Sequence, residues 1–134
     1  MKATIGDKEI DFPDNLQYSE KHQWVDEDGK IGITDFAQAQ LGEIIMVDLD
    51  ADGMVGEEFS AGDLFEDIAV EAQKAVADVY CPVSGKIVEA NEDLEDEPEM
   101  INEDPYGAWL FKLEVSSKDG LMDAAAYAEF CKSQ

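Results

Sequence analysis

The chain has 134 residues and a formal net charge of -24, long enough for one domain with a real core and too short for two ordinary ones. Hydrophobic residues make up 45% and aromatics 9%, which separates it from a disordered acidic chain. The charge repels nucleic acid and anionic membrane and suits either basic partners or high salt, and the absence of arginine removes the bidentate phosphate clamp of a nucleotide enzyme.

The first residues, Met1 to Asp7, lack the apolar stretch of a signal peptide, and no run approaches membrane-spanning length, so a cytoplasmic location is expected. Residues 1–16 read as an irregular arm with a turn at Phe12-Pro13-Asp14-Asn15, and residues 17–134 as one domain. Asp26 to Lys30 marks a hairpin turn between two apolar segments. Ile31-Gly32-Ile33 is a short strand. Thr34 then caps a short helix that runs through Phe36 to Leu41 and stops at Gly42. Ile44 to Leu49 is rich in β-branched residues and reads as a buried strand. Asp50 to Gly53 and Ser60 to Asp63 are turns.

Further on, Cys81 to Gly85 is a turn before the strand Lys86–Ala90. Residues 91–99 form an acidic loop or short helix, and residues 102–107 a loop. Trp109 to Val115 is a strand. Leu121 to Lys132 is a helix with Ala124, Tyr127, Phe130 and Cys131 on one face. Cys81 and Cys131 fit neither a disulfide framework nor a zinc motif, and two buried thiols are expected. Short strands between Gly, Asp and Asn turns predict a mainly β fold, a sandwich or barrel.

Phe65 to Tyr80 carries two conflicting signals. Phe65, Ile68, Ala72, Val76 and Val79 share a helical face. Glu71 and Asp78 stand three before and four after Lys74, where each opposite charge adds about 0.2–0.5 kcal/mol to a helix. Local propensity therefore predicts a helix and makes Lys74 an ordinary surface ion-pair residue. Against this, Gly62 lies twelve residues before Lys74 and Gly85 eleven after it. Turns so placed bracket a hairpin with Lys74 at its tip. Lys74 is also the one lysine between Lys30 and Lys86.

Motifs distributed along the chain resemble the glycine cleavage H-protein family, a group of lipoyl-domain-like carriers. Tyr18, His22, Trp24 and Val25 match its Tyr-x-x-x-His-x-Trp-Val opening. Ile31 to Gln38 and Leu41 to Ile44 match the Gly-Ile-Thr-Asp-aromatic-Ala and Leu-Gly-Asp/Glu pieces. Glu71, Lys74 and Ala75 match the Glu-Ser-x-Lys-Ala lipoylation motif, and Pro82 to Gly85 the turn that follows it. Asn102 to Gly107 with Trp109-Leu110 matches Asn-x-Asp-Pro-Tyr-Gly-x-Gly-Trp-Leu. The resemblance spans about Tyr18 to Tyr127.

The resemblance implies a barrel-sandwich hybrid with short helices, a C-terminal helix and a hairpin that presents Lys74. It implies lipoic acid joined to the Lys74 amine as an amide, by a lipoate-protein ligase or lipoyl transferase. The amide removes one positive charge, taking the formal charge from -24 to about -25. Biotin carriers share the architecture but place methionines where this chain has Gln73 and Ala75. The implied role is a non-catalytic, monomeric carrier that moves an aminomethyl group on lipoyl-Lys74. Its implied partners are a pyridoxal phosphate glycine decarboxylase, an aminomethyltransferase and dihydrolipoyl dehydrogenase.

Four departures leave the partner system open. Ala72-Gln73 replaces Ser-Val or Ser-Thr. One residue is missing before Trp109. Cys81 stands in place of serine, and the arm is long. The alternatives are an H-like lipoate-binding protein that carries sulfur intermediates for a heterodisulfide-reductase-like complex, and an unmodified relay or interaction scaffold. Glu71 is a candidate recognition residue for the ligase, against a plain solvated hairpin charge. His22 is read as a structural hydrogen-bonder rather than a base, and Tyr106 and Trp109 as packing. For Cys81, burial is weighed against exchange with a lipoyl disulfide. No metal ligands are expected.

Overall fold

Strand pairing in the computed structural model, which describes residues 1–118 and 120–134, joins segments far apart in sequence. Label the strands β1 (Lys2–Ile5), β2 (Lys8–Asp11), β3 (Gln17–Tyr18), β4 (Gln23–Val25), β5 (Lys30–Ile33), β6 (Ile44–Asp48), β7 (Glu58–Phe59), β8 (Ala69–Ala72), β9 (Ser84–Ala90) and β10 (Phe111–Ser117). The helices are α1 (Asp35–Leu41), α2 (Ala51–Met54), α3 (Asp93–Asp96), α4 (Met100–Glu103) and α5 (Ala124–Lys132). An antiparallel sheet runs β3-β4-β5-β10-β9-β7, and β6 pairs with β8 in a separate small sheet. This is the expected mainly β architecture with short helices and a C-terminal helix.

Local chemistry explains several elements. Asp26 Oδ1 accepts the Asp28 and Lys30 amides at 2.9 Å, which closes the β4–β5 turn. Trp24 faces Gly32 across that hairpin. A Cβ on Gly32 would meet the indole ring at 2.8 Å, so only glycine fits beneath the tryptophan. The Thr34 hydroxyl accepts the Ala37 amide at 3.2 Å and caps α1. Asp123 caps α5 by accepting the Ala126 amide at 2.8 Å.

Two clusters of buried side chains fill the fold. The larger lies between the sheets and includes Ile31, Val47, Val70, Val83, Ile87, Leu110 and Phe111. The smaller joins Ile10, Phe12 and Leu16 to Tyr18, Trp24, Phe36 and the inner face of α5. Within it Tyr18 and Tyr127 stack with ring centroids 4.7 Å apart.

Several expectations need correction. Residues 1–16 are not irregular: β1 and β2 form a hairpin whose Ile10 and Phe12 are buried. Their apolar side chains gain more by covering Trp24 and α5 than by staying in water. Strand β6 is buried on one side only, leaving Ile45 and Met46 exposed. The turn at 50–53 is wound into α2. Asn102 sits in the helical turn α4 rather than in a loop. On α5, Ala128 is buried with Ala124, Tyr127 and Cys131, while Phe130 stands partly exposed at the rim.

The stretch 65–80 is not a helix. Ala69–Ala72 is strand β8, paired with β6 from Ile44↔Ala72 to Asp48↔Ala69. The chain then turns and returns through a bridge between Glu71 and Val76. Val70 and Ala72 are buried while Gln73 to Val76 are exposed. Burying alternate residues on the large core outweighs the modest propensity difference that favoured a helix.

Candidate functional site

Lys74 stands exposed at the turn between β8 and its return segment. The Ala72 amide donates to the Ala75 carbonyl at 2.9 Å and closes the turn. Two further bonds fix it to the body. The Gln73 amide donates to the Glu43 carbonyl at 2.8 Å, and the Lys74 amide to the Leu41 carbonyl at 3.3 Å. The tip is therefore held against the end of α1 and the start of β6.

Between those two carbonyls lies Gly42, with φ of +79°. That left-handed conformation is strained for any residue with a side chain. A Cβ on Gly42 would stand 3.5 Å from Cγ, Cδ and Cε of Lys74, so the lysine stem lies across this glycine. Asn102 holds the same loop from beneath. Its Nδ2 donates to the Gly42 carbonyl and to Gln38 Oε1, each at 2.9 Å. Its Oδ1 accepts the Ile44 amide at 2.8 Å.

Among the described residues Lys74 makes no ion pair. The anticipated Glu71–Lys74–Asp78 pairing required helical spacing, and the hairpin removes it. Glu71 lies half-buried between Met46 on β6 and Val76 on the return strand. Residues directly opposite in a sheet project to the same face. Met46, Glu71 and Val76 thus form one outward row beside the tip, with Met46 40% and Val76 65% exposed.

A cleft of about 370 Å³ opens beside the tip, between α1 and residues 76–79. Leu41, Phe36 and Ala37 line one wall, Val76 to Val79 the other, and Lys21, His22 and Gln23 the floor. Lys21 Nζ lies 5.3 Å from the Tyr80 ring centroid. His22 Nδ1 is 2.7 Å from the Tyr127 hydroxyl, which is 2.8 Å from the Thr34 hydroxyl. Burial pushes His22 below its ordinary value, and Lys21 adds to this. His22 therefore ties α5 to the sheet, as a structural hydrogen-bonder does.

The remaining sequence candidates lie elsewhere. The Tyr106 hydroxyl donates to the Asp11 carbonyl at 2.7 Å and accepts the Asp35 amide at 3.1 Å, joining β2 to α1. Trp109 lies under Lys30, 5.5 Å from Nζ to the ring centroid. Cys81 and Cys131 are both buried and unpaired. The Cys81 thiol donates to the Val83 carbonyl at 3.0 Å, and burial pushes it up to about 11. A buried, protonated thiol is a poor attacking group for disulfide exchange. Among the described residues no cluster of His, Cys, Asp and Glu has the arrangement of a metal site. No helix among them is long and apolar enough to cross a membrane.

Sequence reasoning missed Asn102, Gly42 and the Leu41 and Glu43 carbonyls as parts of the Lys74 site. In sequence the glycine marks a helix stop and a family motif, neither of which links it to the lysine. A signal existed in the Asn102 motif, since an asparagine both donates and accepts and so can close an irregular loop.

The site presents an exposed lysine amine that makes no ion pair among the described residues, on a turn whose backbone is bonded to the body. The stem lies against Gly42, the residue is exposed, and a cleft lies alongside. The chain is similar to known proteins in sequence and in form. The family model for the glycine cleavage H-protein matches residues 16–134. The glycine cleavage system H protein of Symbiobacterium thermophilum is 48% identical over 127 residues, covering 90% of this chain and 95% of that one. The probable glycine cleavage system H protein of Pyrococcus abyssi is 46% identical over 133 residues, covering 93% and 96%. A crystal structure of a glycine cleavage system H protein from Mycobacterium marinum superposes with a TM-score of 0.78 at 37% identity, covering 88% of this chain and 97% of that one.

Proposed function

Since the chain belongs to the glycine cleavage H-protein family, we propose that it is a non-catalytic lipoyl carrier modified on Lys74. On this reading it moves an aminomethyl group between the enzymes of glycine cleavage: a pyridoxal phosphate decarboxylase, an aminomethyltransferase and dihydrolipoyl dehydrogenase. The observation that carries it is the exposed, unpaired Lys74 held at a hairpin tip by bonds to Leu41 and Glu43.

Lipoate bound as an amide to Lys74 supplies a disulfide that accepts the transferred group and is regenerated by oxidation. The protein supplies position. Gly42 leaves the lysine stem a path along the body, and Asn102 keeps that path in place. Residues 76–79 and α1 form a cleft beside Lys74 that would partly shield a group bound there from water. Glu71 serves as a recognition charge for the ligase. Cys81, 1% exposed, takes no part in this reading.

The test is direct. Unmodified chain incubated with a lipoate-protein ligase, ATP and lipoate gains one lipoyl mass, located on Lys74 by peptide mapping. The modified chain then supports glycine decarboxylation with the three partner enzymes. Failure to gain mass defeats the carrier reading, and modification without decarboxylation defeats the glycine cleavage assignment alone.

A further inference from the structure

The segment after Lys74 has a bare edge. The Ala72 amide bonds to the Ala75 carbonyl and the Ala77 amide to the Val70 carbonyl, both at 2.9 Å. These bonds flank the Glu71–Val76 pair and make it the non-hydrogen-bonded kind. In such a pair each residue's own amide and carbonyl point away from the partner. Those of Glu71 point toward β6. Those of Val76 point outward, and so, by alternation, do those of Asp78. Among the described residues none of these four groups has a protein partner. Both residues are exposed. The edge borders the cleft whose opposite wall is α1.

We propose that this edge is the docking strand for the enzyme that acylates Lys74, which adds an extended basic segment alongside Val76 and Asp78. The inference rests on the reading of Lys74 as the lipoylation site. Strand addition takes affinity from main-chain hydrogen bonds, and Val76 and Asp78 offer two donors and two acceptors. The segment is basic because Asp78 lines the cleft at this edge, Glu71 pairs with Val76, and Glu43 accepts the Gln73 amide at the tip.

Position favours the acylating enzyme over other partners. That enzyme forms a C–N bond from Lys74 Nζ to the lipoyl carbonyl carbon. The bond from that carbon to its activating phosphate breaks, and the amine proton passes to solvent. The reaction needs Nζ fixed against the acyl group. A strand paired two residues from Lys74 sets that geometry, since the tip is already bonded to Leu41 and Glu43.

The experiment uses unmodified full-length chain with a purified lipoate-protein ligase. Val76→Pro removes the outward amide while leaving both inner bonds of the hairpin, a change that sheet edges tolerate. It is expected to raise the KM for the chain about fivefold to tenfold, the value of a lost intermolecular hydrogen bond. The kcat, circular dichroism and melting temperature stay near wild type, and Val76→Ala shifts KM less. In the wild-type complex, hydrogen exchange at the Val76 and Asp78 amides slows.

An unchanged KM in folded Val76→Pro overturns the proposal. So does unslowed exchange at both amides in the wild-type complex, which decides the matter if the proline variant unfolds. Slowed exchange without ligase, with a dimer by sedimentation, assigns the edge to a second copy instead. If wild type gains no lipoyl mass at all, the carrier reading itself has failed.

Discussion

Asn102 Nδ2 donates to the carbonyl of Gly42 at 2.9 Å, although 60 residues separate them. Through this bond a residue from α4 sets the loop over which the Lys74 stem lies. Asn102 spends its side chain on three bonds, to Gln38, Gly42 and Ile44. Asn102→Ala leaves the Ile44 amide and the Gly42 carbonyl without partners. The expected cost is about 1–3 kcal/mol, read as a lowered urea midpoint. The variant is also expected to be lipoylated more slowly than wild type. Asn102→Asp keeps the acceptor but loses the donor, so it recovers only part of the loss.

Lys74→Ala removes an exposed side chain that makes no ion pair. Stability is expected to stay within about 0.5 kcal/mol of wild type. Lipoyl mass gain should vanish, and Lys74→Arg should behave the same way, because a guanidinium is not acylated under these conditions. Intact mass spectrometry after co-expression with a ligase provides the check.

Gly32→Ala places a methyl 2.8 Å from the Trp24 indole. Trp24 is fully buried, with its indole N–H donated to the Pro105 carbonyl at 3.1 Å, so it has little room to move. A loss of about 1–3 kcal/mol is expected from overpacking. A blue or red shift of tryptophan emission should accompany it. Unchanged stability would show that β4 and β5 yield more readily than their packing suggests.

His22 lies at φ of +73° and meets the Tyr127 hydroxyl at 2.7 Å. Burial, then Lys21, holds its pKa below the ordinary 6.5. The unfolded chain therefore binds a proton that the folded chain resists. Stability from this group is complete above pH 6.5 and declines as pH falls through that value toward the lowered folded pKa. Urea midpoints at pH 7.5 and 5.5 should show the decline, and His22→Gln should flatten it. The imidazole resonance of the folded protein should titrate below 6.5.

Burial pushes both the Cys81 and Cys131 thiols up to about 11. Neither should react with a thiol reagent in the native protein at pH 8 within the time that an exposed thiol does. Both should react in denaturant. Rapid native labelling of Cys81 would revive a redox role for it.

Much of this protein was legible in its residues. The cap at Thr34 and the turn at Asp26 to Lys30 depend on side chains acting on nearby backbone, and the strands after Gly85 and Trp109 show in their apolar and β-branched runs, so local sequence contains these signals. The scattered motifs pointed to the family and to Lys74. The N-terminal hairpin was not legible, since Ile10 and Phe12 acquire a surface to cover only once α5 is folded beneath them.

The sharpest division falls at residues 65–80. The sequence by itself determined that Lys74 stands alone among carboxylates and that apolar residues flank it. Those residues fit a helical face as well as alternating strand positions. Local pattern could not choose between them. The family resemblance implied the hairpin, and the tertiary structure supplies its cause, because β6 and the large core exist only in the folded chain and bury Val70 and Ala72 at the same time. The same pairing leaves Val76 on an open edge and sets the tip on Gly42. Neither relationship has a local cause, since each depends on contacts across dozens of residues.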